Sequence, residues 1–517
     1  MAWARAAIFA ALSFWGTALG AQDVTLMSPD GAVELSGTLL GFDGEFYRIE
    51  TIYGELTVDG SGVRCEGPAC PNLQDFVAEI SISGSATMGA VLMPALIEGF
   101  AMRNGYVARR QPVDASHFIY VLEEPETAKP VALFFFHVST TDEGFADLLA
   151  NDADIVMARR EIRPEERQLA RDAGMGDMTD ANRSRVVALD ALVPIVAPSN
   201  PVSDISPQNL ARVFSGRITN WQDLGGADAP IALHLTGPRS GLGQSVEDDV
   251  MGPMRLDFAE GITRHDLPGD VVSAVLRDPF AIGIASYADT GNARALTLTG
   301  ACGFSLSAAR GTIKTEDYPL TAPMFLYMPA RRLPQIGRDF LAFTRGASAQ
   351  NVIRRAGFVD QAPEEVSIND QGYRFANAVT AAGPEITLGE LQRMTRTLYG
   401  MARLTTSFRF EAGSIRLDAQ SRSNVQQLAR ALEQGKYDAR QILLVGFSDG
   451  DGPWTANRDI ALRRAEAVKR AVTAAAETVN FDRIQMDVDA FGEALPMACD
   501  DSAWGRQANR RVEVWVR

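Results

Sequence analysis

Histidine and cysteine are both scarce in this chain. Only four of its 517 residues are histidine and four are cysteine. The histidines are His117, His137, His234 and His265, and no two of them are spaced as ligands on one helix turn. A zinc or non-haem iron centre is therefore not expected. With so little histidine, no nucleophile, base and orienting residue can be placed together, so the sequence predicts neither an enzyme nor a cofactor.

Basic residues and long apolar runs are also in short supply. The chain has 49 Lys and Arg against 65 Asp and Glu, a formal net charge of −16, which argues against a general nucleic-acid-binding protein. No stretch reaches the roughly 18 apolar residues that a membrane helix needs. Hydrophobic residues nevertheless make up 46% and charged residues 22%, as in ordinary globular proteins, and the length predicts two to four domains.

The first twenty-one residues are predicted to form a secretory signal peptide. Arg5 supplies a short positive region, an apolar run extends from Ala6 to Trp15, and Ala18–Ala21 is a small-residue cleavage pattern. The apolar run is too short to span a bilayer, so an uncleaved anchor is the less favoured alternative. The mature chain is expected to be exported and soluble, without a transmembrane segment.

The cysteines fit an oxidising compartment. Cys65 and Cys70 lie in a turn rich in Gly and Pro, where a short-loop disulfide is expected. Cys302 and Cys499 remain, and they either pair across domains or stay free.

The rest of the chain divides into four segments by pattern. Residues 22–72 alternate apolar and polar residues between turn signals, which predicts a small β-rich, barrel-like module with a structural or docking role. Residues 77–360 alternate strand-like and helical patterns, which predicts a two-lobed α/β domain with largely parallel sheets. Residues 361–402 read as a linker with an amphipathic helix, and 403–517 as a compact β-α-β-α-β-β unit. The fold class is thus a multidomain α/β protein.

The C-terminal segment resembles the OmpA-like peptidoglycan-binding domain. The resemblance rests on five groups of residues in family order: Phe410 to Leu417, Gly446-Phe447-Ser448-Asp449, Leu462-Arg463-Arg464-Ala465, Phe491-Gly492-Glu493, and Asn509-Arg510-Arg511-Val512-Glu513. It implies an α/β sandwich that grips the diaminopimelate of the peptidoglycan stem peptide. A carboxylate and a guanidinium would hold the ammonium and carboxylate of that ligand.

The resemblance also implies which residues do this. Asp449 and Arg464 would make the two ionic contacts, and Asn457 would add amide hydrogen bonds. Arg510 and Arg511 either frame the site or make structural ion pairs. Two positions depart from the family pattern, because Ser448 stands where Thr is usual and Ile460-Ala461-Leu462 lacks the usual Ser.

Three turns rich in Ser, Thr and Gly follow strands in the α/β domain. They are Ser83–Met88, Ser139–Thr141 and Arg239–Gly243, and each precedes a helical pattern. Hydroxyls and free N–H groups at a helix start favour an oxyanion, although ordinary helix capping uses the same residues. Three such turns could converge on one small anion.

The same domain resembles periplasmic substrate-binding proteins of the phosphate-binding, PstS-like family. The match runs through Ile82–Met88, Ala153–Arg160, Val193–Val202, Leu210–Gly226 and Ser240-Gly241. The resemblance implies two lobes that close on a ligand by a hinge motion. The implied anion-binding residues are Ser85, Thr87, Met88, Ser139, Thr140, Thr141, Arg159, Arg239, Ser240 and Gly241.

Three departures from the family pattern bear on the choice of anion. Arg159 stands where a phosphate-selective site has a carboxylate, and Leu242 and Thr236 replace a Thr and an Arg. Losing an acceptor and gaining a cation favours a more fully ionised or larger anion. Arg159 either contacts that anion or pairs with a neighbouring acid.

Two functions from different classes follow. The first is a periplasmic protein that binds a small oxyanion such as phosphate and anchors to peptidoglycan at or near the outer membrane, with an ABC permease or another envelope protein as a further partner. The second is an envelope-organising scaffold whose binding domain has lost its small ligand and receives a protein partner instead.

Overall fold

The computed structural model describes residues 23–73, 76–411 and 413–517. The predicted signal peptide lies outside the described residues. The chain divides into two compact units: the first extends to Ala78 and includes Arg332–Arg338, and the second comprises Glu79–Arg331 and Asp339–Arg517. The described part of the chain contains no helix that is both long and apolar enough to cross a membrane.

The first unit contains a five-stranded antiparallel sheet, where the alternating pattern predicts a small β-rich, barrel-like module. Its order is β4-β3-β2-β1-β5. Val24, Leu26, Tyr47 and Ile49 form its buried core. Cys65 and Cys70 are disulfide-bonded, as the sequence predicts. The strands are β1 (Val24–Met27), β2 (Glu34–Phe42), β3 (Phe46–Thr51), β4 (Gly54–Asp59) and β5 (Arg64–Glu66).

The α/β region that follows, termed the upstream domain, contains a mixed sheet. The order of its main strands is β14-β13-β15-β11-β19-β10-β6-β9-β8-β7. Strands β12, β17 and β18 form a separate three-stranded sheet. The strands of the domain are β6 (Ala78–Ser85), β7 (Val107–Pro112), β8 (His117–Glu123), β9 (Pro130–Ser139), β10 (Ile155–Ala158), β11 (Ser184–Val196), β12 (Asp204–Ile205), β13 (Ala232–Thr236), β14 (Thr263–His265), β15 (Ala281–Ser286), β16 (Arg294–Ala295), β17 (Thr297–Thr299), β18 (Ser305–Leu306) and β19 (Thr321–Tyr327). Its helices are α1 (Met93–Asn104), α2 (Thr141–Ala150), α3 (Pro164–Asp172), α4 (Pro207–Phe214), α5 (Gly241–Val246), α6 (Pro268–Arg277), α7 (Arg310–Lys314), α8 (Gln335–Thr344) and α9 (Ala347–Arg355).

The expectation of largely parallel pairing is wrong for this sheet. Strand β10 pairs in parallel with β6, and β13 pairs in parallel with β14 and β15, whereas β7-β8-β9 form an antiparallel meander. The long strand β11 pairs antiparallel with β19 through its first half and with β15 through its second half. It therefore carries the chain from one half of the sheet to the other. Residues Val186–Val196 are all buried, so the run is apolar on both faces rather than alternating.

The C-terminal domain contains a five-stranded sheet of order β20-β21-β24-β22-β23, in which only β22 and β23 are parallel. Its strands are β20 (Glu365–Ser367), β21 (Ala402–Arg409), β22 (Gln441–Phe447), β23 (Gln485–Ala490) and β24 (Arg511–Val516). Its helices are α10 (Gly372–Ala381), α11 (Leu388–Leu398), α12 (Ala419–Glu433), α13 (Trp454–Ala475) and α14 (Ala503–Asn509). The short helix α14 lies between the last two strands, where the sequence predicts a direct connection.

The predicted linker is part of this domain. Its amphipathic helix is α11, and Leu391, Met394 and Leu398 pack in one core cluster with Phe447 and Trp515. Leu388, the first residue of the predicted stripe, is exposed. The segment is thus a layer of the C-terminal fold, because its apolar face covers one side of the sheet.

The upstream and C-terminal domains share a polar interface within the second unit. Buried Arg403 donates two hydrogen bonds to buried Asp317, at 2.7 and 3.1 Å. The indole of Trp504 donates to the carbonyl of Asp249 at 2.8 Å. Cys302 is disulfide-bonded to Cys499, which settles the pairing that the sequence left open. The two domains are consequently packed together rather than loosely tethered.

Candidate functional site

Two of the predicted hydroxyl-rich turns and Arg159 meet at one edge of the mixed sheet. Ser85 ends β6, and Arg159 directly follows its parallel neighbour β10, so both residues emerge at the same edge. Thr141 is the first residue of α2, and its hydroxyl accepts a hydrogen bond from the backbone N–H of Arg159 at 3.2 Å. Gly84, at φ +120°, allows the close approach, because a Cβ there would lie 2.3 Å from the carbonyl oxygen of Met157.

The third turn reaches this point from the other half of the sheet. Gly241 begins α5, and a Cβ at this residue would lie 3.1 Å from Ser85 Oγ and 3.3 Å from Arg159 Cδ. Gln244, one turn further, donates a hydrogen bond to Asp142 at the start of α2 at 2.9 Å. The two halves of the upstream domain are therefore closed on one another, and we call the space around Ser85, Thr141, Arg159 and Gly241 the cleft.

Arg159 forms a buried ion pair with Asp190. Its Nη2 lies 3.0 Å from Asp190 Oδ2, and both side chains are almost fully buried. Asp190 Oδ2 also accepts a hydrogen bond from Ser286 at 2.6 Å. None of the three guanidinium nitrogens of Arg159 makes a hydrogen bond to the described residues, and the same holds for Ser85 Oγ and Asp190 Oδ1. Buried polar atoms without partners are uncommon in folded proteins, so the cleft has unused donors and an unused acceptor.

The other predicted anion-binding residues differ in how they are engaged. The hydroxyl of Thr140 caps α2 in a capping box with Glu143. Ser240 Oγ accepts from the backbone N–H of Gly243 and donates to Thr236 and Gly237, so it caps α5. These two hydroxyls serve the capping role that the sequence left open. The remaining predicted residues are buried Met88, half-buried Thr87 and Ser139, and exposed Arg239.

The predicted wall-binding residues come from the loop after β22, from α13 and from the start of β24. Asp449 Oδ2 accepts from Arg510 at 2.7 Å. Arg464 is buried and donates to the carbonyl of Ser414 at 3.3 and 3.2 Å. Burial lowers the pKa of Arg464, the charge of Arg510 lowers it further, and Asp449 opposes both. Asp449 and Arg464 are therefore close enough to interact, although each has a different direct partner.

Two neighbours complete this region. Asn457 is buried and donates to Glu493 at 2.5 Å and to the carbonyl of Gly452 at 3.2 Å. The hydroxyl of Ser448 is buried and has no hydrogen-bond partner among the described residues. The region that is predicted to bind the cell wall thus has a buried hydroxyl without a partner in the described part of the chain, on the residue directly before Asp449.

Arg511 has a structural role rather than a ligand-facing one. It is fully buried, its Nε donates to Glu513 at 2.8 Å, and its other nitrogens donate to the carbonyls of Asn509 and Leu495. Its guanidinium also lies 4.5 Å from the ring centroid of Phe447. Of the two roles that the sequence allowed for this residue, the structure places it in the ion-pair role.

Two polar groups of the upstream domain were not predicted from the sequence. Asp190 was not assigned a role, although a carboxylate within an otherwise apolar strand signals a buried partner. A second group joins Ser83, His137 and Asp147: Asp147 Oδ2 lies 2.5 Å from Ser83 Oγ and 2.7 Å from His137 Nδ1. Both contacts use the same carboxylate oxygen, and Ser83 faces the ring nitrogen that is already bonded to Asp147, so this is not a catalytic triad. Among the described residues, no cluster of three or more His, Cys, Asp or Glu side chains is arranged to hold a metal ion.

Comparison with known families assigns both domains. Residues 114–346 match the PBP superfamily domain, and residues 409–510 match the OmpA family. The chain is therefore similar to PBP superfamily domains in its upstream domain and to the OmpA family in its C-terminal domain, as the resemblances predict.

Two relatives and one solved structure are similar to parts of this chain. The phosphate-binding protein PstS of Borreliella burgdorferi is 23% identical over 197 residues, which cover 37% of this chain and 70% of the relative. Protein SphX of Synechococcus elongatus is 25% identical over 272 residues, 50% of this chain and 78% of the relative. The structure of the peptidoglycan-associated lipoprotein from Burkholderia pseudomallei is 27% identical, covers 22% of this chain and 90% of its own, and has a TM-score of 0.20.

Proposed function

We propose that this protein is an exported envelope protein that binds a small oxyanion in the cleft and attaches non-covalently to peptidoglycan through its C-terminal domain. The observation that carries the first part is the set of unused polar atoms in the cleft. Ser85 Oγ and the guanidinium of Arg159 are buried donors without hydrogen-bond partners, next to the start of α5 at Gly241. Relatives named as phosphate-binding proteins support the same assignment.

The charge balance of the cleft favours a partly protonated oxyanion such as phosphate. Arg159 supplies one positive charge, which Asp190 offsets, so the pair is neutral. A ligand that both accepts and donates hydrogen bonds would use the donors of Ser85 and Arg159 together with the free Oδ1 of Asp190. Asp190 thereby replaces the carboxylate that the sequence lacks at position 159. Sulfate, which has no proton to donate at neutral pH, would leave that acceptor unused.

Isothermal titration of the full mature chain tests this assignment. We expect inorganic phosphate to bind and sulfate to bind at least tenfold more weakly, because an unpaired buried acceptor costs roughly 1–3 kcal/mol. Ser85→Ala should weaken phosphate binding by a similar factor. Ser81→Ala, on the same strand β6, is the matched control. Absence of heat with phosphate and with related oxyanions would remove the anion-binding proposal and favour the scaffold alternative.

The wall-binding part rests on the OmpA family match and on the Asp449, Arg464 and Arg510 cluster. A ligand with an ammonium and a carboxylate could exchange with the Asp449–Arg510 pair, since that pair is partly exposed. An exported chain with this domain would reside in the periplasm against the cell wall. Because the upstream domain is packed on the C-terminal domain, we infer a sensing, storing or localising role rather than free diffusion to an ABC permease.

A further inference from the structure

A second cavity, separate from the cleft, lies between the two domains. Its volume is about 270 Å³, and it is lined by β11 and the ends of α8 and α9 of the upstream domain and by α12 of the C-terminal domain. We call it the interdomain cavity. None of its lining residues belongs to the predicted anion-binding or wall-binding sets.

The charge of this lining is opposite to that of the chain. Five of its twenty residues are cationic and none is Asp or Glu, although the chain has 65 acidic residues against 49 basic ones. The cations are Arg185, Arg345, Arg422, Arg430 and Lys436. Such a concentration of one sign in a concave site raises the local concentration of counterions of the opposite sign.

Three of these arginines form no ion pair with the described residues. Arg422 pairs with Glu161 at 2.7 Å, and Lys436 donates to the carbonyl of Pro363. Within the described ranges, Arg185, Arg345 and Arg430 form no ion pair, and the side chains of Arg345 and Arg430 make no hydrogen bond. Arg185 donates one hydrogen bond, to the carbonyl of Leu341 at 2.7 Å, and its Nε is buried without a partner.

These three guanidinium groups also oppose one another. Burial lowers the pKa of Arg185, and the charges of Arg345 and Arg430 lower it further. Burial and Arg430 together lower the pKa of Arg345 to about 10. Arginine nevertheless stays protonated at neutral pH, so three like charges converge here. Glu433 raises the pKa of Arg430 and so offsets part of the effect of burial there, whereas, among the described residues, no acidic group acts on Arg185 or Arg345. An anion in the cavity would convert this repulsion into attraction.

We propose that the interdomain cavity binds a multivalent phosphate-type oxyanion through Arg185, Arg345 and Arg430. Guanidinium forks match the oxygens of a phosphate group and bind them with charge-assisted, often bidentate hydrogen bonds. Gln361, whose Nε2 is buried and unpartnered, offers a further donor from the same lining. The volume corresponds to about nine waters at roughly 30 Å³ each, so a diphosphate or a phosphate with a small attached group fits.

Such a ligand would bridge the two domains. Arg185 belongs to β11 and Arg345 follows α8 in the upstream domain, whereas Arg430 belongs to α12 in the C-terminal domain. One anion can contact all three arginines only while the two domains are packed together, and its binding would stabilise that packing. Its binding would therefore report on domain packing rather than on cleft closure.

Titration calorimetry on the full mature chain tests the proposal, with a cleft-disabled variant, Ser85→Ala combined with Gly241→Val, as the background. In that background any remaining site is outside the cleft, so failure of the proposed cleft function does not affect the outcome. We expect pyrophosphate to bind with a stoichiometry of one. Arg345→Gln combined with Arg430→Gln should weaken this binding at least a hundredfold, about tenfold for each charge-assisted contact. Arg396→Gln, an exposed arginine of α11, is the control and should change nothing.

A second measurement guards against misfolding of the double variant. In buffer without multivalent anions its melting temperature should equal or exceed that of the parent, because two repelling charges are removed. If glycerol 3-phosphate binds more strongly than pyrophosphate, the ligand's phosphate belongs to a phospholipid-type or wall-polymer headgroup. If pyrophosphate binds more strongly, the ligand is a free phosphate compound. If neither probe binds in the cleft-disabled background, or if both bind equally well after the two arginines are removed, the proposal is wrong.

Discussion

Cys302 of the upstream domain and Cys499 of the C-terminal domain are joined by a disulfide that links positions 197 residues apart in sequence. The bond lies beside the contact of Asp501 with the backbone N–H of Ala301, at 2.7 Å. It closes a loop that contains the end of the upstream domain and most of the C-terminal domain. The two domains are thus covalently connected twice, once by the chain and once by this bond.

Removing this disulfide should uncouple the two domains. We expect Cys302→Ser with Cys499→Ser to lower the free energy of unfolding by about 2–5 kcal/mol, since a long cross-linked loop restricts the unfolded chain most. Calorimetry should then show the single transition of the second unit separating into two. Cys65→Ser with Cys70→Ser, which spans only five residues in the first unit, is the matched control and should leave that transition in place.

Gly241 should tolerate no side chain if the cleft is the anion site. A Cβ at this position would lie 3.1 Å from Ser85 Oγ, and the longer branches of valine would occupy the space beside Arg159. We expect Gly241→Val to reduce phosphate binding at least tenfold, as measured by titration calorimetry. Gly237→Ala, four residues earlier in the same loop, is the control, because its Cβ would meet only the carbonyl oxygen of His265, at 4.0 Å. Equal affinity in both variants would contradict the placement of the site.

Much of the cleft is predictable from local sequence, but its chemistry is not. The turn at Ser83–Met88 and Thr141 were identified because hydroxyls after strands are a local pattern. The role of Arg159 depends on Asp190, which is 31 residues away and faces it only after β11 has crossed the sheet. The roles of Thr140 and Ser240 are likewise not predictable from the sequence. A hydroxyl at the start of a helix can bond either a backbone N–H or a ligand, and the sequence does not distinguish the two.

The packing of the C-terminal domain is also only partly predictable from the sequence. The spacing of Leu391, Met394 and Leu398 predicts an amphipathic helix, and the helix is there. Which surface receives its apolar face depends on Phe447 and Trp515, which lie on strands far along the chain. A periodic stripe of apolar residues predicts that one face of a helix is buried, but it does not identify the surface against which that face packs.

Glu316 should make the stability of the domain interface depend on pH between about 4.5 and 8. It is buried between Asn424, which donates to it at 3.2 Å, and the carboxylates of Asp418 and Asp317. Burial, reinforced by Asp418, raises its pKa from 4.5 to about 8. Between these two values the unfolded chain has released this proton and the folded chain retains it. Stability therefore falls as pH rises through that window, by up to about 1.4 kcal/mol per pH unit.

The measurement is chemical denaturation at pH 6, 7 and 8, compared with Glu316→Gln. Glutamine keeps a hydrogen-bonding oxygen for Asn424 and does not titrate, so the difference between the two proteins isolates this one group. The wild type should lose stability relative to the variant as pH rises. A pH-independent difference would show that Glu316 is already ionised in the folded protein.

Attachment to the cell wall should depend on the charged cluster around Asp449. Arg464→Ala removes the guanidinium next to Asp449 and should reduce retention on isolated peptidoglycan sacculi at least tenfold, about the loss of one charge-assisted contact. Because Arg464 is buried and bonded to Ser414, the variant must first be shown to fold by circular dichroism. Asp449→Asn preserves the shape of the site and should give a similar loss. Arg463→Ala, on the exposed face of α13, is the control.

Retention of the wild type should also weaken with added salt, since both contacts are ionic. Salt-independent retention that survives both substitutions would place the wall contact elsewhere on the domain.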